Sequence, residues 1–276
     1  MRLLAISDLH VRAPGTRAFI ESLPSSADDW LILGGDIGES EDDLRFVLET
    51  LAPRFARLVW VPGNHDLWSL PTNPPAAAPT RGVARYESLI ALCRSFGALT
   101  PEDPFVRWPG DGPPTVIAPL FTLYDYTFRP AHLRSKEEAL AWAAEEDIVC
   151  TDEVLLHPDP HGSIDAWSAA RVALTEARLD EIPDEMRTVL IAHFPLRQAH
   201  AVLPAVPRFT PWCGTVRTDD WHRRFRARAV VFGHLHIRRD FVDDGVPFHE
   251  VSLGYPRQFD PARPSDYLRV ILPGKA

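Results

Sequence analysis

Five short segments of this chain carry residue types that bind metal ions: Asp8-Leu9-His10, Gly34-Gly35-Asp36, Gly63-Asn64-His65-Asp66, Ala192-His193 and Gly233-His234-Leu235-His236. Each ends an apolar run, so each should stand on a loop at the end of a strand, where layered α/β proteins build their sites. In Asp8-x-His10 and His234-x-His236 the two-residue spacing sends both side chains to one side of an extended backbone. Each pair can therefore offer two donors to one ion. Glycines precede Asp36, Asn64 and His234, where they permit sharp turns and close approach of the backbone. Imidazole, carboxylate and amide oxygen suit first-row divalent metals, and no cysteine stands in any of the five segments. Singly, each piece has an ordinary explanation. A strand-end histidine is usually just hydrogen-bonded, Asp36 can cap a helix and Asn64 can form a turn. Five such pieces, each ending an apolar strand, point to one metal centre.

The elements that must position these segments are legible as apolar runs. "RLLAIS", "DWLILGG", "RLVWVP", "TVIAP", "RTVLIAH" and "RAVVFG" are mostly continuous rather than alternating, the pattern of strands buried on both faces. Helical patterns lie between several of them. Leu44, Val47, Leu48 and Leu51 keep helix spacing in "EDDLRFVLETL". "YESLIALCRSFG" ends on Gly97, a C-cap residue. "SKEEALAWAAEE" opens with Ser135 and Glu138 at capping-box spacing, and residues 163–182 read as a longer helix. The later runs "RRDFVDD", "PFHEVSL" and "YLRVILP" resemble antiparallel strands. The proline-rich stretch 70–80 reads as a surface loop or flap. There is no internal repeat.

At 276 residues the chain is expected to form a single domain, residues 1–276. Its net charge of -9 argues against a general nucleic-acid binder. Cys93, Cys150 and Cys213 are odd in number and unpaired in spacing, which favours reduced thiols over a disulfide framework. No apolar run approaches the roughly 20 residues of a membrane span, and the N-terminal run is too short for a signal peptide. The expectation is a cytoplasmic protein with neither a nucleic-acid nor a membrane partner.

The ordered set DLH, GGD, GNHD, AH and GHLH resembles the calcineurin-like metallophosphoesterase superfamily. The segments "DDWLI", "LFTLYDYTF", "VCTDEVLLHPDP", "TPWCGTVRTDDWH" and "FHEVSLGYPRQ" are similar to the actinobacterial phosphopantetheinyl hydrolases within it. The resemblance implies an α/β four-layer sandwich, two mixed β-sheets flanked by helices, with two divalent metal ions (Mn, Fe or Zn) at the strand ends. It assigns Asp8, His10 and His236 to the first metal and Asn64, His193 and His234 to the second, with Asp36 bridging. It further implies hydrolysis of a phosphate ester by a metal-bound hydroxide, removing 4'-phosphopantetheine from the serine of a holo-carrier protein. The alternative is a phosphatase or phosphodiesterase acting on a small metabolite or natural-product intermediate. His65 would then protonate the leaving oxygen. Asp66 would orient and charge that imidazole, or else satisfy backbone amides of its own loop.

Substrate-binding candidates come from aromatic and basic segments. Tyr124, Tyr126, Trp212 and Trp221 flank polar loops and would form either a lid or core packing. Arg223 and Arg224 belong to a basic stretch running from Arg217 to Arg239. Such a stretch is either a solvated face or a receptor for an acidic carrier.

Overall fold

In a computed structural model the chain is described over residues 1–70 and 80–273. The proline-rich stretch read as a loop or flap lies almost wholly outside the described residues. In chain order the elements are β1 (Leu3–Ile6), α1 (Thr16–Ser22), β2 (Ser26–Leu33), α2 (Glu41–Leu51), β3 (Phe55–Trp60), α3 (Gly82–Ser95), β4 (Val106–Arg107), β5 (Thr115–Pro119), α4 (Lys136–Ala144), α5 (Asp152–Leu155), α6 (Ile164–Asp180), β6 (Arg187–Ile191), α7 (Trp221–Arg224), β7 (Ala227–Phe232), β8 (Arg239–Asp243), β9 (Val246–Glu250) and β10 (Arg269–Leu272).

The strands form two sheets, ordered β10-β1-β2-β3 and β4-β5-β6-β7-β9-β8. Both are mixed. β1, β2 and β3 are parallel with β10 antiparallel at the edge, while β5, β6, β7 and β9 are parallel between antiparallel β4 and β8. Alternation along each strand explains why the runs are continuously apolar. Leu3, Ala5, Trp30, Ile32, Val59, Val189, Ile191, Ala229 and Val231 pack together between the two sheets. Their neighbours Leu4, Ile6, Leu31, Leu33, Leu58 and Trp60 face outward against α1, α2 and α3. Leu190, Val230 and Phe232 face α6 and α7. The result is four layers, helix–sheet–sheet–helix, as the resemblance implied.

Helix ends follow their side chains. Ser40, Ser135 and Ser163 cap α2, α4 and α6 by accepting from Asp43, Glu138 and Ala166 N–H groups. The expected capping box of α4 is only half formed, because Glu138 Oε2 accepts from Arg134 N rather than from the cap residue. All three cysteines are buried and free. No helix among the described residues is long and apolar enough to cross a membrane.

The parallel strands β1, β2, β3, β6 and β7 all deliver their C-terminal loops to one end of the sandwich. These are the five metal-type segments.

Candidate metal centre

At that end three groups of donor atoms each lie within 4.8 Å of one another: Asp8, His10 and His236; Asp36, His193 and His234; and His10, Asp36 and His65. The backbone is bent to achieve this. Asp8, His10, Asp36, His234 and His236 all have positive φ, between 42° and 71°, a conformation uncommon for non-glycine residues and concentrated at functional sites. The glycines at Gly63 and Gly233 serve close approach. A Cβ on Gly63 would sit 2.1 Å from Asp36 Oδ1, and one on Gly233 would sit 2.2 Å from Asp8 Oδ2.

Several donors face inward without partners. His193 Nδ1 donates to the Gly34 carbonyl at 2.9 Å, which leaves Nε2 as the free nitrogen, 3.4 Å from Asp36 Oδ2. That arrangement, one ring nitrogen tied to a carbonyl and the other turned to the centre, is typical of a metal-ligating histidine. His193 Nε2, His234 Nε2 and Asn64 Oδ1 are buried with no hydrogen-bond partner. His10 Nε2 and His236 Nε2 face each other at 3.1 Å, and His236 Nε2 is 3.2 Å from Asp8 Oδ1. Orphaned buried acceptors are costly, and divalent cations would satisfy all of them. The donor set thus fits two metal ions.

The electrostatics agree. Burial pushes His10 down to about 4 and His234 down to about 3, so both are neutral with lone pairs available near pH 7. Burial would also lower His193, but the Asp36 charge and its hydrogen bond outweigh that and raise it to about 10. A proton is thereby drawn to the place a cation would take. Burial would raise Asp8 and Asp36; the histidines facing them prevail and hold both carboxyls below the ordinary range.

His65 is half-buried beside the centre. Its ring stacks on Trp68, with centroids 3.7 Å apart, and its Nδ1 lies 3.4 Å from Glu39 Oε1. Burial lowers its basicity, but Asp36 and Glu39 raise it above the ordinary histidine value. Asp66 takes no part in this. Its Oδ2 accepts from Asp36 N and Gly63 N, both at 2.9 Å, and its Oδ1 from Ile37 N at 3.0 Å and Gly38 N at 3.4 Å. The expectation that Asp66 orients His65 is therefore corrected: Asp66 fastens the GGD loop to the GNHD loop, and Glu39 is the carboxylate at the imidazole. Glu39 stands three residues after Asp36 on the same loop, a spacing that sequence reading passed over.

The aromatic candidates are corrected too. Tyr124, Tyr126, Trp212 and Trp221 are no more than 1% exposed, inside the two outer cores, where rings gain most from burial. Tyr126 OH and Trp212 Nε1 both donate to Glu153 Oε1 at 2.8 Å. None lines the cavity above the centre. Arg223 and Arg224 are exposed but committed, Arg223 to Asp244 at 3.6 Å and Arg224 to Glu176 and Asp180. Each therefore has an acidic neighbour within the chain.

The cavity above the centre measures about 610 Å³. Asp36, Asn64, His65, His234 and His236 line its floor, and Val149, Leu203, Val206, Phe209 and Ile237 wall it with apolar surface. Tyr255, stacked on His10 at 4.7 Å, and exposed Arg257 complete its rim. Tyr255 and Arg257 belong to "FHEVSLGYPRQ" and Asp152 to "VCTDEVLLHPDP", segments that carried the resemblance without any chemistry readable from their residue types.

Residues 1–238 match the calcineurin-like phosphoesterase model, and the chain belongs to that family of metal-dependent phosphoric ester hydrolases. Within it, the chain is 47% identical over 272 residues to the [acyl-carrier-protein] phosphodiesterase PptH of Mycobacterium tuberculosis, covering 98% of this chain and 83% of that protein. It also superposes on the crystal structure of phosphopantetheinyl hydrolase (PptH) from M. tuberculosis with a TM-score of 0.92 at 47% identity, covering 99% of this chain and 96% of that one.

Proposed function

We propose that this chain hydrolyses the phosphodiester joining 4'-phosphopantetheine to the serine of a holo-carrier protein. Asp8, His10 and His236 would hold one divalent ion for this and Asn64, His193 and His234 a second, with Asp36 between the two sets. The observation that carries the reading is the convergence of these donors beneath a cavity with apolar walls, whose floor Asp36, Asn64, His234 and His236 line. Manganese, iron and zinc all suit this donor set. When bound, such ions polarise the phosphoryl oxygens and make a shared water acidic enough to act near neutral pH.

The chain's own residues do the rest. Only two carboxylates, Asp8 and Asp36, stand among the seven donors, so the loaded centre keeps positive charge for a phosphate. His65 holds a proton above its ordinary range. With Nδ1 turned to Glu39, its Nε2 lies on the side of the centre, 4.0 Å from Asp36 Oδ2. It can pass that proton to the departing serine oxygen. Val149, Leu203, Val206 and Phe209 offer apolar contact to an uncharged arm. Arg257 is exposed at the rim, and a cation there suits an acidic protein. The name of the M. tuberculosis relative supports the same substrate.

The test is a mass spectrum of a holo-carrier protein before and after incubation with the metal-loaded enzyme in ¹⁸O-water. The expected result is apo-carrier with an unlabelled serine and one label on the released phosphopantetheine. Intact holo-carrier beside rapid turnover of a small phosphate ester would instead make this a metabolite phosphoesterase.

A further inference from the structure

Asp152, the first residue of α5, is 1% exposed and lies far in sequence from every metal-type segment. One of its oxygens, Oδ1, does two things. It accepts from Asn64 Nδ2 at 3.0 Å and from Trp68 Nε1 at 2.6 Å. Asn64 Oδ1, at the other end of the same amide, is buried without a partner.

An asparagine amide can sit in either of two orientations that differ in which atom, oxygen or nitrogen, faces a given neighbour. An ionised carboxylate can only accept hydrogen bonds. Because Asp152 Oδ1 also accepts from Trp68 Nε1–H, it stands as an acceptor toward Asn64, excludes the orientation in which two oxygens would meet, and leaves the Asn64 carbonyl oxygen as the end of the amide without a protein partner. Through the same oxygen it holds Trp68, whose ring stacks on His65. A single atom thus fixes a donor of the centre and a neighbour of the proton-bearing imidazole.

We propose that Asp152 is the positioning residue that decides which end of the Asn64 amide faces the second metal site and, through Trp68, where the His65 ring stands. This rests on the reading that Asp36, Asn64, His193 and His234 hold a divalent ion.

The experiment measures Mn²⁺ bound per chain, by elemental analysis and by titration of the chelator-stripped protein. Wild type, Asp152→Asn and the double variant Asn64→Asp with Asp152→Asn are compared, with folding checked by circular dichroism. An Asp152→Asn amide that keeps its oxygen on Trp68 Nε1–H buries an unpartnered NH₂ where Asp152 Oδ2 stood, and one that turns to donate to Asn64 sets N–H against N–H at Trp68, so the Asn64 orientation is held less firmly than by the carboxylate. The second ion should then bind about 10–100-fold more weakly, the range for loss of an outer partner of a metal ligand, while the first is unchanged. In the double variant the carboxylate at 64 presents an oxygen to the second metal site whichever way residue 152 turns, and its other oxygen can accept from residue 152. Binding of the second ion should return to within a few-fold of wild type, which a purely structural role for Asp152 would not produce. If Asp152→Asn alone fails to fold, recovery of folding and of two ions in the double variant still supports the proposal. Two ions bound with wild-type affinity by Asp152→Asn, or a double variant that stays at one ion, overturns it. Wild type binding fewer than two ions overturns the underlying metal reading as well, which separates the two failures.

Discussion

Replacing Asp66 by asparagine separates two roles for one residue. Its carboxylate, 2% exposed, receives four backbone N–H groups from the loops that carry Asp36 and Asn64. Burial first, and then the Asp36 charge, raise this carboxyl to about 7, with the Gly63 and Gly38 N–H groups opposing them. At pH 8 it is therefore mostly ionised and can only accept. An asparagine side chain can keep its oxygen on Asp36 N and Gly63 N. Its NH₂ then meets the N–H groups of Ile37 and Gly38. One full hydrogen bond of 3.0 Å and one weaker contact of 3.4 Å are lost, and donors face donors. At about 1–3 kcal/mol for each buried group left unpaired, and less for the longer contact, Asp66→Asn should cost about 2–4 kcal/mol in lost pairing, offset in part at pH 8 because it also removes a charge that burial and Asp36 disfavour. That pairing cost is a sizeable part of the roughly 5–15 kcal/mol typical of a native protein, and by itself would lower the melting temperature of a 276-residue chain by roughly 3–7 °C. The measurement is urea denaturation and thermal melting of the metal-free protein at pH 8, with turnover recorded in parallel. A variant within about 0.5 kcal/mol of wild type that nonetheless loses turnover would refute this reasoning and return Asp66 to the imidazole.

Glu39→Gln should retain both metals yet lower kcat roughly 10–10²-fold on an alkyl phosphodiester, part of the 10²–10⁴ that a general acid supplies; the loss should shrink on an activated aryl ester, and equal losses on both would count against it. Arg257→Glu should raise KM for a holo-carrier protein far more than for an aryl phosphate diester, and the difference should fade as salt rises; parallel changes on both substrates would remove Arg257 from the carrier interface. His200 is buried against Phe241 and Phe248, and burial lowers its affinity for a proton below that of an ordinary histidine, about 6.5, despite its bond to Asp243. The unfolded chain therefore binds this proton more readily, and the contribution to stability is present above pH 6.5 and lost as pH falls below it. His200→Asn should show a shallower decline in melting temperature below that pH, and an unchanged slope would contradict the assignment.

The strands and the metal-type residues were open to sequence reading because both depend on local order. An apolar run followed by Gly-Gly-Asp or Gly-Asn-His-Asp tells where a strand stops and what chemistry stands at its end, whatever the run packs against. The continuous runs also told of strands covered on both faces, while the four-layer arrangement itself came from the family resemblance. Partnership between side chains is a different matter. Asp66 follows His65 directly, yet the turn aims its carboxylate at four amides, and Glu39 from another loop reaches the ring instead. Tyr124, Tyr126, Trp212 and Trp221 looked equally fit for a lid or a core, because an aromatic in a loop segment has no period to reveal which way it faces. The arginines from 217 to 226 formed a basic run on paper, and folding brought Asp244, Glu176, Asp180 and Asp184 against several of them. Asp152 had no visible link to Asn64 across 88 positions. Residue type and local spacing thus determined which atoms can bind a metal. Which carboxylate orients which donor was decided by the packing of loops from two sheets, since hydrogen bonds depend on distance in space and not on distance along the chain.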